Sequence, residues 1–408
     1  MFITPLNFTS MTKRILIVNK FYYVRGGAEV VAINLESELK ARGYEVGVFT
    51  MDFKENLTTT NLYKSEEVSF KHGALGKVKF ALRTLGDYGV PSSFERALNE
   101  FKPDIVHLHN VHSYLSPIVG EIAKKHGCKV VWTLHDYKLL CPAYSCLCRG
   151  EICERCYSAK RNVVLKKCMK NSFSASILAY LEAKRWNRKR LERNTDTFVC
   201  PSSFIASKME SGGFDSRKLK VICNFIDPDK LSILNANKGS HSGEFYLYVG
   251  RLSTEKGVET LLEVASKLPY KLKIAGAGPL RTELESKYAS ENIEFLGQQN
   301  AIQVSELLSD AIFSVVPSEW YENNPLSVIE ALCAGTPVLG ARMGGIPELI
   351  NDKSGILFDS GNKNQLKDGI EYIMNHRNSY DNDLIATTSK DRFSAENHLR
   401  KLIDIYES

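Results

Sequence analysis

"RILIVNKFYYVRGGAEVVAINLESELKARGYEVGVFT", residues 14–50, decides the fold. A short apolar run rich in branched residues leads through the glycine pair Gly26-Gly27 into an amphipathic segment, and "EVGVFT" follows as a second apolar run. Runs of this length read as buried strands and the segment between them as a helix. Strand, crossover helix and strand form the unit of a parallel sheet, whose strands are buried on both faces and so stay apolar throughout.

The same alternation returns at "DIVHLHN", "SPIVGEIAKKHG" and "KVVWTLH", and the first half closes with "TFVCPSSFIASKME" and "KLKVICNFID". "DKLSILNANKGSHSGE", residues 229–244, breaks the rhythm with Asn, Gly, Ser and His and reads as a linker. Beyond it "FYLYVG", "GVETLLEVASKL", "YKLKIAG", "NIEFLG", "AIFSVVP", "TPVLGA" and "SGILFD" read as strands, with helical segments between them. The expectation is an α/β chain of two Rossmann-like domains facing across a deep cleft. The first covers residues 1–228 and carries a cysteine-rich loop at 141–168; the second covers 229–391. Residues 392–408 form a last helix, a candidate to pack back on the first domain. Ligands of open α/β sheets sit outside the carboxyl ends of the strands, so chemistry is expected at the cleft.

Hydrophobic content of 43% and charged content of 25% are those of a globular protein with full cores, and 408 residues suffice for two or three domains. No apolar run is long enough to span a bilayer. The N-terminus lacks the pattern of a secretory signal, and "KRILIVN" follows Met11 so closely that Met11 reads as a more natural start than Met1, with the first ten residues an upstream extension. A cytoplasmic protein with reduced thiols is therefore expected, despite ten cysteines. A net charge of +6 is too mild to imply nucleic acid. Between Lys160 and Arg193, however, eleven Lys and Arg stand against two Glu. Such a run is commonly a solvated helix face. The sharper reading is peripheral contact with an anionic membrane, at its inner face, or with a phosphate-bearing acceptor.

"PSEWYENNPLSVIEALCAGTPVLG", residues 317–340, holds two carboxylates eight positions apart. Asn324 is expected to cap a helix with Pro325 in its first turn and Gly335 at its left-handed end. Glu322 then lies just before the helix and Glu330 inside it, where carboxylates can accept hydrogen bonds from a sugar and from a second polyol such as a ribose. Amides of Asn323, Asn324, Pro325's successor Leu326 and beyond make this end receptive to anions or hydroxyls. Taken alone, Glu322 could equally serve only the helix dipole. "YVGRLSTEKG" adds Gly250, Arg251 and Lys256 between a strand and a helix, two cations suited to stabilising a departing diphosphate. "IAGAGPL" supplies Gly276, Gly278 and Pro279 for a tight turn that admits a nucleotide. "TLHDY" sets His135 at a strand end, commonly a structural position and here a candidate for the reacting sugar.

"VGRLSTEKG", "IAGAGP", "PSEWYENNPLSVIEALCAGTPVLG" and "MGGIPELI", in this order, resemble the retaining glycosyltransferases of family 4, which have the GT-B fold. "GGAE", "DIVHLHN", "TLHDY" and "VICNFID" resemble that family's first half, and the likeness covers roughly residues 14–390. The resemblance implies a hexosyltransferase of surface polysaccharide biosynthesis that takes a UDP- or GDP-hexose and a saccharide or lipid-linked acceptor. It sets Glu322 on the donor hexose, Glu330 on the ribose, Arg251 and Lys256 on the diphosphate, Gly27 near the phosphates and His135 near the reacting sugar. It implies no catalytic metal. Where many members read Glu-Gly-Phe-Gly, this chain reads Glu-Asn-Asn-Pro, which leaves the hexose open. An epimerase of sugar nucleotides and a non-catalytic sugar-nucleotide-binding partner are the alternatives on the same fold.

"CPAYSCLCRGEICERCYSAKRNVVLKKC" gathers six cysteines, with Cys153 and Cys156 at metal-ligand spacing. Cys141, Cys153, Cys156 and Cys168 are the candidate structural zinc set, matching the placement of cysteines in some polysaccharide glycosyltransferases.

Overall fold

The computed structural model describes residues 13–67, 73–236 and 241–408. Both candidate start residues, Met1 and Met11, and residues 237–240 of the linker lie outside the described residues. In chain order the strands are β1 (Arg14–Val18), β2 (Glu45–Met51), β3 (Leu62–Ser65), β4 (Ile105–Leu108) and β5 (Lys129–Thr133). A two-residue hairpin, β6 (Leu147–Cys148) with β7 (Glu151–Ile152), is followed by β8 (Thr197–Cys200) and β9 (Leu219–Val221). The last six are β10 (Phe245–Val249), β11 (Lys271–Ala275), β12 (Ile293–Gly297), β13 (Ser314–Val316), β14 (Val338–Ala341) and β15 (Gly355–Phe358).

The described chain packs as two compact units. One holds the residues up to Leu134 together with Leu181–Val199; the other holds His135–Tyr180 and Cys200–Ser408. In the first unit the strands run β3-β2-β1-β4-β5-β8, each neighbouring pair parallel. Ile15 to Val18 are at most 2% exposed, as strands covered on both faces must be. Even His107 is enclosed in β4, where its Nε2 lies 2.8 Å from the Thr133 hydroxyl, so its polarity is satisfied internally.

The second unit carries the parallel sheet β12-β11-β10-β13-β14-β15. Its strands feed two cores by the two-residue period of a pleated strand. Tyr246 and Tyr248 of β10 join Leu272, Ile274, Leu261 and Leu262 on one face. Phe245 and Leu247 join Val316, Val328, Ile329 and Leu332 on the other. This order brings the carboxyl ends of β11, β10, β13 and β14 side by side.

One local expectation changes. The first part of the linker is a helix, Pro228–Ala236. Proline opens it without losing a bond, and the Asp227 carboxylate accepts from the Asp229 N–H at 2.9 Å. The closing helix, Ala395–Glu407, packs on residues 223–226: the His398 Nδ1 is 2.8 Å from Cys223 O, and the Ile226 N–H donates to Phe393 O at 2.9 Å. Among the described residues no helix is long and apolar enough to cross a membrane.

Candidate active site

Loops leaving the adjacent strand ends of the second sheet are stitched together through their backbones. After β10, the Gly250 N–H donates to Ala275 O and the Leu252 N–H to Ala277 O, both at 3.0 Å. The loop after β11 therefore lies against Arg251. Glycine is required there: a Cβ at Gly276, whose φ is +148°, would stand 1.9 Å from Gly250 O, and one at Gly278 2.2 Å from Leu252 O. Pro279 continues that turn, and Arg251 is exposed.

The turn Ser253–Gly257 then bends onto the loop after β13, where the Glu319 N–H donates to Glu255 O at 3.0 Å. This docking delivers Lys256 to Glu322. Its Nζ lies 2.6 Å from Glu322 Oε1, and the Ser318 hydroxyl donates to the same oxygen at 2.7 Å. The ammonium also stands 5.2 Å from the centre of the Trp320 ring. Glu322 is only 6% exposed. Burial pushes its carboxyl pKa up, but the charge and hydrogen bond of Lys256 and the Ser318 hydroxyl outweigh that and hold it below the ordinary carboxylate value. An ionised carboxylate and an ammonium thus persist together in a largely enclosed place.

The loop after β14 fixes the backbone of Glu322. The Gly345 N–H donates to Glu322 O at 2.8 Å, and Gly344, at φ +63°, leaves no room for a Cβ, which would fall 1.9 Å from that oxygen. On the other side of Glu322, the Ser202 hydroxyl donates to Asn323 Oδ1 at 3.1 Å. Asn324 is not the expected cap. Its Oδ1 accepts from the Asn224 N–H at 3.0 Å and the Cys223 thiol at 3.2 Å, and Pro325 is the cap residue of helix Leu326–Cys333. A buried amide with two donors from another segment is better satisfied there than at the helix end. Gly335 does take the left-handed conformation, φ +85°. Glu330, in that helix, pairs with Lys230 at 2.5 Å.

The second unit thus carries Gly250, Arg251, Lys256, Gly276, Gly278, Pro279, Glu322, Asn323, Asn324 and Pro325 in the loops that leave β10, β11 and β13, and Leu326 and Glu330 in the helix that follows. His135 is half-buried just after β5. Gly27 opens helix Gly27–Ala41 of the first unit, after the cap residue Gly26. Three site residues escape the sequence reading. Ser318 follows the strand-ending Pro317 and was readable by position. Lys230 lies in the stretch taken for a linker. Glu348 lies in the quoted "MGGIPELI", and its carboxylate accepts from the Ser203 and Phe204 amides at 2.7 and 2.6 Å, capping helix Ser203–Ser211.

The cysteine-rich loop carries thiol–thiol contacts. Cys141 is hydrogen-bonded with Cys146 and Cys156, while Cys168 is hydrogen-bonded with Cys148. Hydrogen bonds from the other two thiols push the Cys141 thiol below its ordinary value. Among the described residues no group of three or more His, Cys, Asp or Glu is placed to hold a metal.

Comparison with known proteins identifies the family and the fold. Residues 25–230 match the family described as Glycosyltransferase Family 4, and residues 232–391 match Glycosyl transferases group 1. An uncharacterised 42.6 kDa protein in the cps region of Klebsiella pneumoniae is 29% identical over 356 residues, 82% of this chain and 87% of that protein. A GDP-mannose-dependent alpha-(1-6)-phosphatidylinositol dimannoside mannosyltransferase of Mycobacterium tuberculosis is 28% identical over 181 residues, 42% of this chain and about half, 47%, of its own. The crystal structure of Anabaena HepE in complex with UDP and glucose superposes with a TM-score of 0.67 at 16% identity, covering 97% of this chain and all of that one, a likeness that fixes the fold as GT-B. With a single family matching more than half of its length, the chain belongs to Glycosyltransferase Family 4.

Proposed function

We propose that this glycosyltransferase moves a hexose from a UDP- or GDP-hexose to a hydroxyl of a glycan or lipid-linked saccharide in surface polysaccharide assembly, with retention of the anomeric configuration. The observation that carries the reading is the enclosed Lys256–Glu322 pair, 2.6 Å apart, beside the glycine turn at 276–278. A departing nucleoside diphosphate needs fixed positive charge, which Lys256 and Arg251 supply. Glu322 accepts hydrogen bonds from the hexose hydroxyls, and Glu330 from the ribose. In the proposed step the bond from the anomeric carbon to the diphosphate oxygen breaks. The bond to the acceptor oxygen forms on the same face, and the acceptor's proton passes to the departing phosphate oxygen. The relatives support the donor class: HepE binds UDP and glucose, and the mycobacterial enzyme is GDP-mannose-dependent. The cps-region relative supports polysaccharide assembly.

Peripheral membrane contact forms part of the proposal with a reduced charge. In "KRWNRKRLER", Arg185 pairs with Asp87, Arg188 with Glu192 and Arg190 with Glu121. Lys184, Arg188, Lys189 and Arg193 are the exposed cations of that segment that would meet anionic lipid, Arg188 while paired with Glu192.

The test is a panel of UDP- and GDP-hexoses against saccharide and lipid-diphosphate-linked acceptors, with products read by mass spectrometry and anomeric configuration by NMR. A hexose-extended acceptor with the donor's configuration is expected. Isomerised sugar nucleotide from donor alone would replace transfer by epimerisation, and an inverted linkage would remove the same-face step.

A further inference from the structure

Tyr321, the residue before Glu322, is gripped from the cysteine-rich segment. Its hydroxyl donates to Glu154 Oε1 at 2.8 Å, and the same oxygen pairs with Lys208 Nζ at 2.5 Å. That ammonium sits 5.1 Å from the centres of both the Tyr321 and Phe204 rings. Phe204 meets Tyr321 edge to face with ring centres 4.8 Å apart, and the Tyr137 ring lies 5.8 Å away. Burial and the Glu154 carboxylate both push the Tyr321 hydroxyl well above the ordinary phenol range, so it remains a donor at any physiological pH.

Glu154 is itself held in place. It stands between Cys153, whose N–H donates to Cys146 O at 2.7 Å, and Cys156, whose thiol bonds with Cys141. The Tyr157 N–H donates to Glu154 O at 2.9 Å, and the Tyr157 hydroxyl is 3.6 Å from the Cys146 sulfur. The packed thiols thus make a rigid base from which one carboxylate reaches the loop of Glu322.

We propose that Glu154 is a positioning residue for glycosyl transfer, acting through Tyr321 to hold the Glu322 carboxylate against the donor hexose, with Lys208 fixing the Glu154 carboxylate in turn. This rests on the transferase reading and gives the cysteine-rich segment a part in it. The charges are complementary, the three side chains come from segments far apart in sequence, and the tether reaches the residue next to the acid that the transfer requires. Displacing a sugar-positioning group by a fraction of an ångström slows the chemical step much more than it weakens binding of the nucleotide, which other residues hold.

The experiment compares the full chain with Glu154→Ala, Tyr321→Phe, their double variant and Glu154→Gln. Turnover of the preferred nucleotide sugar, binding of the free nucleoside diphosphate, and amide hydrogen exchange across residues 318–324 are measured on each. Glu154→Ala and Tyr321→Phe should each lower kcat roughly tenfold to a hundredfold. Nucleoside diphosphate affinity should stay within about twofold and exchange at 318–324 should quicken. The double variant should be no worse than the poorer single, as two ends of one contact require. Glu154→Gln, whose amide oxygen still accepts from Tyr321, should recover most of the rate. Unchanged exchange, or quickened exchange with kcat retained, overturns the proposal, as do losses that multiply in the double variant. A parent protein that turns over no nucleotide sugar counts against the transferase reading instead, and the exchange comparison then decides whether Glu154 holds the loop.

Discussion

Glu322 shows how one residue can be both buried and charged. An enclosed carboxylate without partners would keep its proton; here an ammonium at 2.6 Å and a hydroxyl at 2.7 Å on the same oxygen reverse the balance. The sign of the pH dependence follows. A carboxyl held below its ordinary value in the folded chain adds stability above that value, 4.5, and loses it as pH falls toward and through the lowered folded value. Urea denaturation of the parent and of Glu322→Gln between pH 7 and pH 3 should show the parent losing more stability than the variant below about pH 4.5. Parallel curves would mean that the pair does not hold the charge. The residue scale is also where the sequence was most informative. A Glu-x7-Glu pair, an Arg and a Lys were legible because chemistry demands charge whatever the packing. Lys230 was not, since a lysine in a polar stretch is an ordinary surface residue until a partner is seen.

Among the elements, the strands and their parallel order follow from continuous apolar runs, and six of the seven strand-like stretches of the second half are strands in the structure; the seventh, "GVETLLEVASKL", forms the helix Val258–Ala265. What the runs could not reveal is how their connecting loops dock. The glycines at 257, 276, 278 and 344 each face a carbonyl of the neighbouring loop at 2.0, 1.9, 2.2 and 1.9 Å from where a Cβ would stand. In sequence they look like any turn glycine; only the fold shows that three of the four sit at a positive φ and all four at a close approach. The cap misplaced on Asn324 has the same origin, because its side chain answers donors about a hundred residues away. Gly344→Ala should therefore cost on the order of 3 kcal/mol, combining backbone strain with overpacking against Glu322 O, and should abolish donor turnover. Gly361→Ala is the control: its φ of +75° is similarly strained, but nothing lies within 4 Å of its Cβ. It should cost only about 1 kcal/mol and keep activity. Equal losses for both would mean that conformation alone, and not the loop contact, sets the cost.

For the whole molecule, family membership and the GT-B fold join two observations that sequence reading reached separately: an alternating α/β chain and a set of charged strand-end residues. The least legible part was the middle of the chain. Residues 135–180 and 200–228 pack in the second unit, where Glu154, Ser202 and Asn224 hold residues 321, 323 and 324. No periodicity encodes such contacts, because they join loops rather than strands. The transferase reading depends above all on positive charge at Lys256 acting on a departing diphosphate. Lys256→Gln removes that charge while its amide can still donate to Glu322, so the buried carboxylate keeps a partner. Steady-state transfer from the preferred nucleotide sugar, measured for this variant and the parent with matched circular dichroism, is the direct test. A fall in kcat of roughly a hundredfold to a thousandfold is predicted; turnover within about twofold of the parent would contradict a charge-stabilising role.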